Sequence, residues 1–146
     1  MRLVPIPANA LPELAPATHT PFTEEMCRGN HQFYTVVGHA PPWIAYVAVE
    51  GNDAVGVCAF KGAPRNNVVE IAYGTQPGLE GRGVATRMAR ELIRIARSAA
   101  PNVRIIAQTL PEHNASSRVL AKCGFTQVRD AMDDEVGRVW EWELVG

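Results

Sequence analysis

Gly81, Gly83 and Ala85 stand at two-residue intervals within the stretch Glu70 to Arg97, EIAYGTQPGLEGRGVATRMARELIRIAR, and leave a run of backbone without bulky side chains. The chemistry available to such a run is anion binding, because the N–H groups of Gly81, Arg82, Gly83, Val84, Ala85 and Thr86 can come close to a phosphate. If a helix starts here, those amides have no helical acceptor and carry about half a positive charge from the macrodipole. Arg82 adds a full charge. The elements that must position this turn lie on either side of it. Glu70–Thr75 is β-branched and aromatic in character and stops at Gln76-Pro77-Gly78, where a proline without an N–H ends the strand. From near Gly83, Ala85, Met88, Ala89, Leu92, Ile95, Ala96 and Ala99 recur at helical spacing, with Arg87, Arg90, Arg94 and Arg97 opposite, which predicts an amphipathic helix. There is no Gly-Lys-Ser/Thr of a P-loop, and Thr86 stands where a dinucleotide fingerprint requires its third small residue. An ordinary tight turn between strand and helix is the alternative.

A second strand, Val103–Leu110, is followed by Pro111-Glu112-His113-Asn114-Ala115-Ser116-Ser117-Arg118-Val119-Leu120-Ala121-Lys122-Cys123-Gly124-Phe125. With Glu-Gly-Arg-Gly-Val-Ala upstream and Asn-Ala-Ser-x-Arg-Val-Leu-x-Lys-x-Gly-Phe downstream, the chain resembles the GNAT superfamily of N-acetyltransferases. It is most similar to the branch that acetylates ribosomal-protein N-termini. The resemblance covers roughly Trp43 to Leu144. It implies an acetyl-CoA-dependent enzyme, with the pyrophosphate held by the amides of Gly81 to Thr86.

Composition is compatible with this. The 146 residues are 47% hydrophobic and 20% charged, the size of one globular domain over residues 1–146, long enough to bury roughly two-thirds of the surface its unfolded chain exposes. The formal net charge is −1 and no basic run occurs outside the helix stripe, so neither nucleic acid nor anionic membrane is an expected partner. Cys27, Cys58 and Cys123 are distant in sequence and form no CxxC, which suggests no disulfide framework and no metal site, with a cytoplasmic location as the default. The first residues carry prolines where a signal peptide needs an unbroken apolar run.

In chain order, Arg2–Ile6 reads as an edge strand because of its prolines, and residues 7–21 as loop. Thr23-Glu24-Glu25-Met26 has the form of a helix start, with Met26, Phe33 and Val37 as its apolar face and a break expected at Gly29-Asn30. By resemblance this segment would wall the acceptor site, to which His31, Tyr34 and His39 could contribute; capping or surface roles are the alternative. Trp43–Val49 and Ala54–Phe60 form a hairpin around Gly51-Asn52-Asp53, and a turn at Lys61–Asn67 leads to Val68–Thr75. Val103–Leu110 returns as a strand beside Val68–Thr75, with a right-handed crossover through the long helix if the two are parallel, as the resemblance implies. Asn114 is placed to cap a short helix that ends at Gly124. Phe125–Met132 and Arg138–Val145 close the chain as a hairpin, with Trp140, Trp142 and Leu144 on one face. The fold class is α/β (α+β), a mixed, mostly antiparallel sheet with flanking helices.

The resemblance further implies that Val68–Thr75 and Val103–Leu110 splay apart so that pantetheine lies between them. The backbone of Tyr73, Gly74 and Thr75 would then bond the acetyl carbonyl and the pantetheine amides. An attacking amine with a pKa of about 10 arrives protonated, so a proton acceptor is needed. Glu70 is the first candidate, with a strand-end carboxylate in solvent as its alternative, followed by Glu112 and then His113. The leaving thiolate, with an intrinsic pKa of about 8.5, gains less from a proton donor. Many superfamily members place a tyrosine in the short helix for that purpose. This chain has Leu120-Ala121 there and no tyrosine after Tyr73, which leaves Asn114, Ser116 and Ser117 as candidates or as capping residues. Glu80 departs from the usual glutamine or arginine. Cys123 reads as a buried thiol without a paired base. The acceptor would be a primary amine of a protein N-terminus or a small molecule, and the protein a monomer or homodimer. A catalytically silent acyl-CoA-binding module and a nucleotide- or anion-binding interaction domain are the competing functions.

Overall fold

A computed structural model describes residues 1–15 and 18–146. Seven strands form one sheet in the order β1-β2-β3-β4-β5-β7-β6. They are β1 (Arg2–Pro5), β2 (Ala45–Glu50), β3 (Asp53–Phe60), β4 (Val68–Thr75), β5 (Arg104–Thr109), β6 (Phe125–Asp133) and β7 (Gly137–Leu144). Helices α1 (Pro21–Val37), α2 (Val84–Ala99) and α3 (Ala115–Lys122) complete the fold. Every neighbouring strand pair is antiparallel except β4 and β5, which run parallel. This is the mixed sheet that the sequence predicts, with β1 at one edge, where its Pro5 costs no ladder bond.

The core lies between this sheet and α2. Met88, Ala89, Leu92 and Ala96 are fully buried, against Ile71, Ile105 and Leu120. Ala99, expected on the apolar face, is exposed. Gly56 of β3 shows how closely α2 is seated. A Cβ there would stand 2.7 Å from the Gly74 carbonyl oxygen and 2.8 Å from Met88 Sδ. Only glycine lets the helix approach this far.

Helix α1 departs from expectation at both its start and its middle. Its N-cap is Thr20, and Thr23 is the third helical residue, the two joined in a reciprocal capping box. The loop expected over residues 7–21 therefore yields Pro21 to the helix, and its positions 16 and 17 lie outside the described residues. No break occurs at Gly29-Asn30. Asn30 Nδ2 donates to the Met26 carbonyl, and buried Cys27 and Tyr34 hold both halves of the helix against the sheet. The Tyr34 hydroxyl donates to Ile6 O at 3.0 Å and accepts from Ala45 N–H at 2.9 Å, joining α1 to β2 and to the residue that follows β1. No described helix is long and apolar enough to cross a membrane.

Candidate active site

The parallel ladder is short. Cα partners run from Val68↔Arg104 to Ile71↔Ala107 and then stop, after which β4 continues with β3 alone and β5 with β7 alone. The strands therefore splay, and Ala72–Thr75 faces Gln108–Thr109 across an unbridged gap. Which backbone groups point into it follows from strand alternation. Gln76 N–H donates to Val55 O, and Lys61 N–H donates to Glu70 O. Even-numbered residues of β4 thus turn their main chain toward β3, and Tyr73 and Thr75 turn theirs toward the gap. Gly74 is committed to the β3 side.

The strand ends in the turn that supplies the anion cradle. Gly81 and Gly83 both take positive φ, +78° and +77°, and Gly83 is the N-cap of α2 without any side-chain cap. Among the described residues, no acceptor serves the N–H groups of Gly81, Arg82, Gly83, Val84, Ala85 or Thr86; the first helical bond is Arg87 N–H to Gly83 O at 3.1 Å. An uncapped helix start at an open surface is the arrangement that an external anion completes. Glu80 also lines the groove beside the cradle. Its carboxylate accepts from Gly78 N–H at 2.9 Å and stiffens the turn.

A groove of about 490 Å³ connects cradle and gap. Its walls are Tyr73, Gly74 and Thr75 on one side, the turn with Val84, Ala85 and Thr86 at one end, and α3 on the other side. The structure thus brings together Tyr73, Gly74, Thr75, Gly81, Gly83, Val84, Ala85, Thr86 and Ser116. Three other expected residues lie elsewhere. Arg82 lines a neighbouring groove of about 530 Å³ with Glu50, Asp53, Gln76 and Arg87, on the other flank of the turn. Asn114 is spent on capping α3: its Oδ1 accepts from Ser117 N–H at 3.0 Å, and buried Ser117 returns the bond through its hydroxyl. Glu70 sits on the sheet face opposite Tyr73 by strand alternation. There Lys61 Nζ stands 2.8 Å from its Oε2, an ion pair by distance, although that enclosed oxygen has no aligned hydrogen bond among the described residues.

Leu79, Ala115, Arg118, Val119 and Lys122 also line the groove and were not singled out from sequence. The signal was present: 115, 118, 119 and 122 form one helical stripe counted from the Asn114 cap. Arg118 and Lys122 make that wall cationic, which suits an anionic ligand. Across the groove, the Tyr73 hydroxyl donates to the Ser116 carbonyl oxygen at 3.3 Å. Burial, and secondarily Cys123 nearby, pushes the Tyr73 phenol well above its ordinary value, so it stays protonated at any physiological pH. Cys123 is a free thiol at the α3 C-cap, half-buried and not fully buried as expected, with its pKa raised by burial against the opposing effect of Arg90. Among the described residues, no group of three or more His, Cys, Asp or Glu is placed to hold a metal ion.

Residues 9–126 match the family model described as an acetyltransferase (GNAT) domain. By sequence, no curated protein matches the chain. Among solved structures it is similar to a ribosomal-protein-S5-alanine acetyltransferase from Vibrio fischeri, with a TM-score of 0.66 and 18% identity over 84% of this chain and 72% of that one. A ribosomal L7/L12 alpha-N-protein acetyltransferase in complex with coenzyme A gives a TM-score of 0.65 and 19% identity, over 85% and 71% of the two chains. A microcin C7 self-immunity acetyltransferase in complex with acetyl-CoA and AMP gives 0.67 and 14%, over 86% and 71%. At these identities the likeness is one of fold.

Proposed function

The chain belongs to the GNAT family of acetyl-CoA-dependent N-acetyltransferases, and on that premise we propose that it transfers the acetyl group directly from acetyl-CoA to a primary amine, of a protein N-terminus or a small molecule. The observation that carries this is the gap between β4 and β5 beyond Ile71 and Ala107, opening on a groove that ends at the uncapped start of α2. The acetyl-CoA co-substrate supplies an activated acyl group on a thiol that leaves readily. The N–H groups of Gly81 to Thr86 hold its pyrophosphate, and the inward-facing main chain of Tyr73 and Thr75 holds the pantetheine and polarises the acetyl carbonyl. The acceptor approaches from the opposite sheet face, that of Ala72 and Gly74, where the Phe22 ring of α1 lies beside Gly74. Glu70 lies on that face and takes the ammonium proton, directly or through water. Resemblance to enzymes whose names specify ribosomal proteins supports a peptide α-amine as one acceptor class to try first.

The test is release of free coenzyme A thiol from acetyl-CoA in the presence of a panel of N-terminal peptides, polyamines and small amines. Thiol release above background with at least one member, together with the mass of the acetylated product, supports transfer. Tight acetyl-CoA binding with no turnover across the panel leaves a silent acyl-CoA-binding module instead.

A further inference from the structure

Gly78, Gly81 and Gly83, in the turn before α2, all take positive φ, and each has other conformations open to it because glycine populates both signs of φ. Two of the bonds that tie the turn lie ahead of the cradle: Leu79 N–H donates to Gln76 O at 3.0 Å, and Gly78 N–H to the Glu80 carboxylate at 2.9 Å. Within Gly81–Gly83, a single side chain reaches the main chain among the described residues. Arg87 of α2 extends back so that its Nη1 donates to the Arg82 carbonyl at 3.0 Å. Its Nε and Nη2 donate to the two oxygens of Glu50, the last residue of β2, at 2.7 and 2.8 Å. The bond to Arg87 holds the Glu50 carboxyl below its ordinary range, so the pair stays ionised at neutral pH. One guanidinium thereby ties the cradle to the sheet.

The direction of that grip sets the direction of a donor. The Arg82–Gly83 peptide is planar and trans, so the Gly83 N–H points opposite to the Arg82 carbonyl. The carbonyl turns toward Arg87, which lines the second groove; the N–H is therefore aimed away from Arg87, on the side of the first groove, which Gly83 lines. Turning this peptide over would carry Gly83 from φ +77° to a negative φ that glycine accepts readily, and would take a donor out of the cradle. The same residue type that lets an anion approach also lets the peptide flip. We propose that Arg87, anchored by Glu50, is a positioning residue that holds the Arg82–Gly83 peptide in its anion-binding orientation. This rests on the acetyltransferase reading above for the identity of the anion, the pyrophosphate of acetyl-CoA, and adds to it what keeps the cradle formed before the ligand arrives.

The experiment uses the full chain and its Arg87→Met, Arg87→Lys and Glu50→Gln variants, with coenzyme A as the probe. In calorimetric titration, Arg87→Met should raise Kd about tenfold, as expected if an unbraced peptide presents its N–H to the cradle about a tenth of the time. Arg87→Lys should lose nearly as much, because an ammonium keeps the charge but cannot span both Glu50 oxygens and the Arg82 carbonyl. Glu50→Gln separates positioning from simple attraction. It removes a negative charge near the anion, so an Arg87 that acted by attracting phosphate would bind coenzyme A more tightly once released. Loss of the anchor should instead weaken binding about threefold. In the unliganded proteins, the residual dipolar coupling of the Gly83 N–H reads its orientation directly. It should match the fixed peptide in the parent and move to the average of two orientations in Arg87→Met. Urea midpoints should stay near the parent's, since both partners of the ion pair are partly exposed. Equal Gly83 couplings in parent and Arg87→Met would overturn the assignment, as would tighter binding by Glu50→Gln or full affinity in Arg87→Lys. A parent that binds no coenzyme A removes the acetyltransferase reading, and the Gly83 coupling still decides whether Arg87 holds the peptide.

Discussion

Gly83 links backbone conformation to ligand binding at one position. At φ +77° it opens α2 in the left-handed region, where a side chain costs roughly 1–2 kcal/mol, and a Cβ there would come 2.9 Å from Arg87 Nη1. The guanidinium is the far end of a flexible side chain and can yield, at the cost of the bond its Nη1 donates to the Arg82 carbonyl at 3.0 Å. Strain of that size is small beside the roughly 5–15 kcal/mol that holds a domain together, so Gly83→Val should fold. It should nevertheless weaken acetyl-CoA binding by at least about tenfold, equivalent to about 1.4 kcal/mol, by distorting the amide cradle. Calorimetric titration decides, and affinity equal to the parent's would place the pyrophosphate elsewhere. The other residue in question is Glu70. If it takes the acceptor's proton, Glu70→Gln should lower kcat by about 10²–10⁴-fold with acetyl-CoA affinity retained. The deficit should shrink as pH rises toward the amine pKa of about 10, because more acceptor is then already neutral. A pH–rate profile parallel to the parent's would leave Glu70 as a partner of Lys61 only.

At the scale of elements, the strands, α2 and α3 were legible because each signal was local. β4 ends at Pro77-Gly78, α2 has a strong 3.6-residue stripe, and Asn114 and Gly124 bracket α3. Helix α1 was less legible because its continuity is tertiary. Gly29-Asn30 breaks a helix in isolation, and only packing of Cys27 and Tyr34 together with the Asn30 to Met26 bond carries it through. The site divides in the same way. The cradle glycines follow from sequence, but the Tyr73 to Ser116 contact joins positions 43 apart and no spacing rule reaches it. Nor could sequence reveal that Arg82 lies on the other flank of the turn, since that depends on how the loop passes β2 and β3. Because Gly29 is exposed, with negative φ and open space where a Cβ would be, it is a helix interior carrying only the entropic cost of glycine. Gly29→Ala should therefore stabilise the fold by about 0.5–1 kcal/mol, seen as a higher urea midpoint with unchanged m. A lower midpoint would mean that α1 needs flexibility there.

For the whole molecule, the sheet interior holds groups whose ionisation burial opposes, and this lowers stability at alkaline pH. Cys58 lies in the middle of β3 at 1% exposure, and burial pushes its thiol up to about 12. Burial likewise pushes Tyr46 on β2 up to about 12. In the unfolded chain, thiols ionise near about 8.5 and phenols near about 10. The unfolded state therefore binds fewer protons than the native state once pH exceeds the first of these values, and stability falls as pH rises. It is fully present below the unfolded pKa. Between about pH 9 and 10 the fall belongs mainly to thiols, since the phenols of the unfolded chain are still largely protonated. Each group held fully protonated in the native state and ionised in the unfolded one contributes about 1.4 kcal/mol per pH unit. Cys58→Ala should lower stability at neutral pH through the cavity it leaves, and should also make the decline from about pH 9 to 10 shallower by up to about 1.4 kcal/mol per unit. Urea denaturation of both proteins at half-unit pH steps measures the two slopes. If they are equal, Cys58 ionises in the native state, and water reaches the interior of β3 at a point where the packing of α2 on Gly56 closes it off.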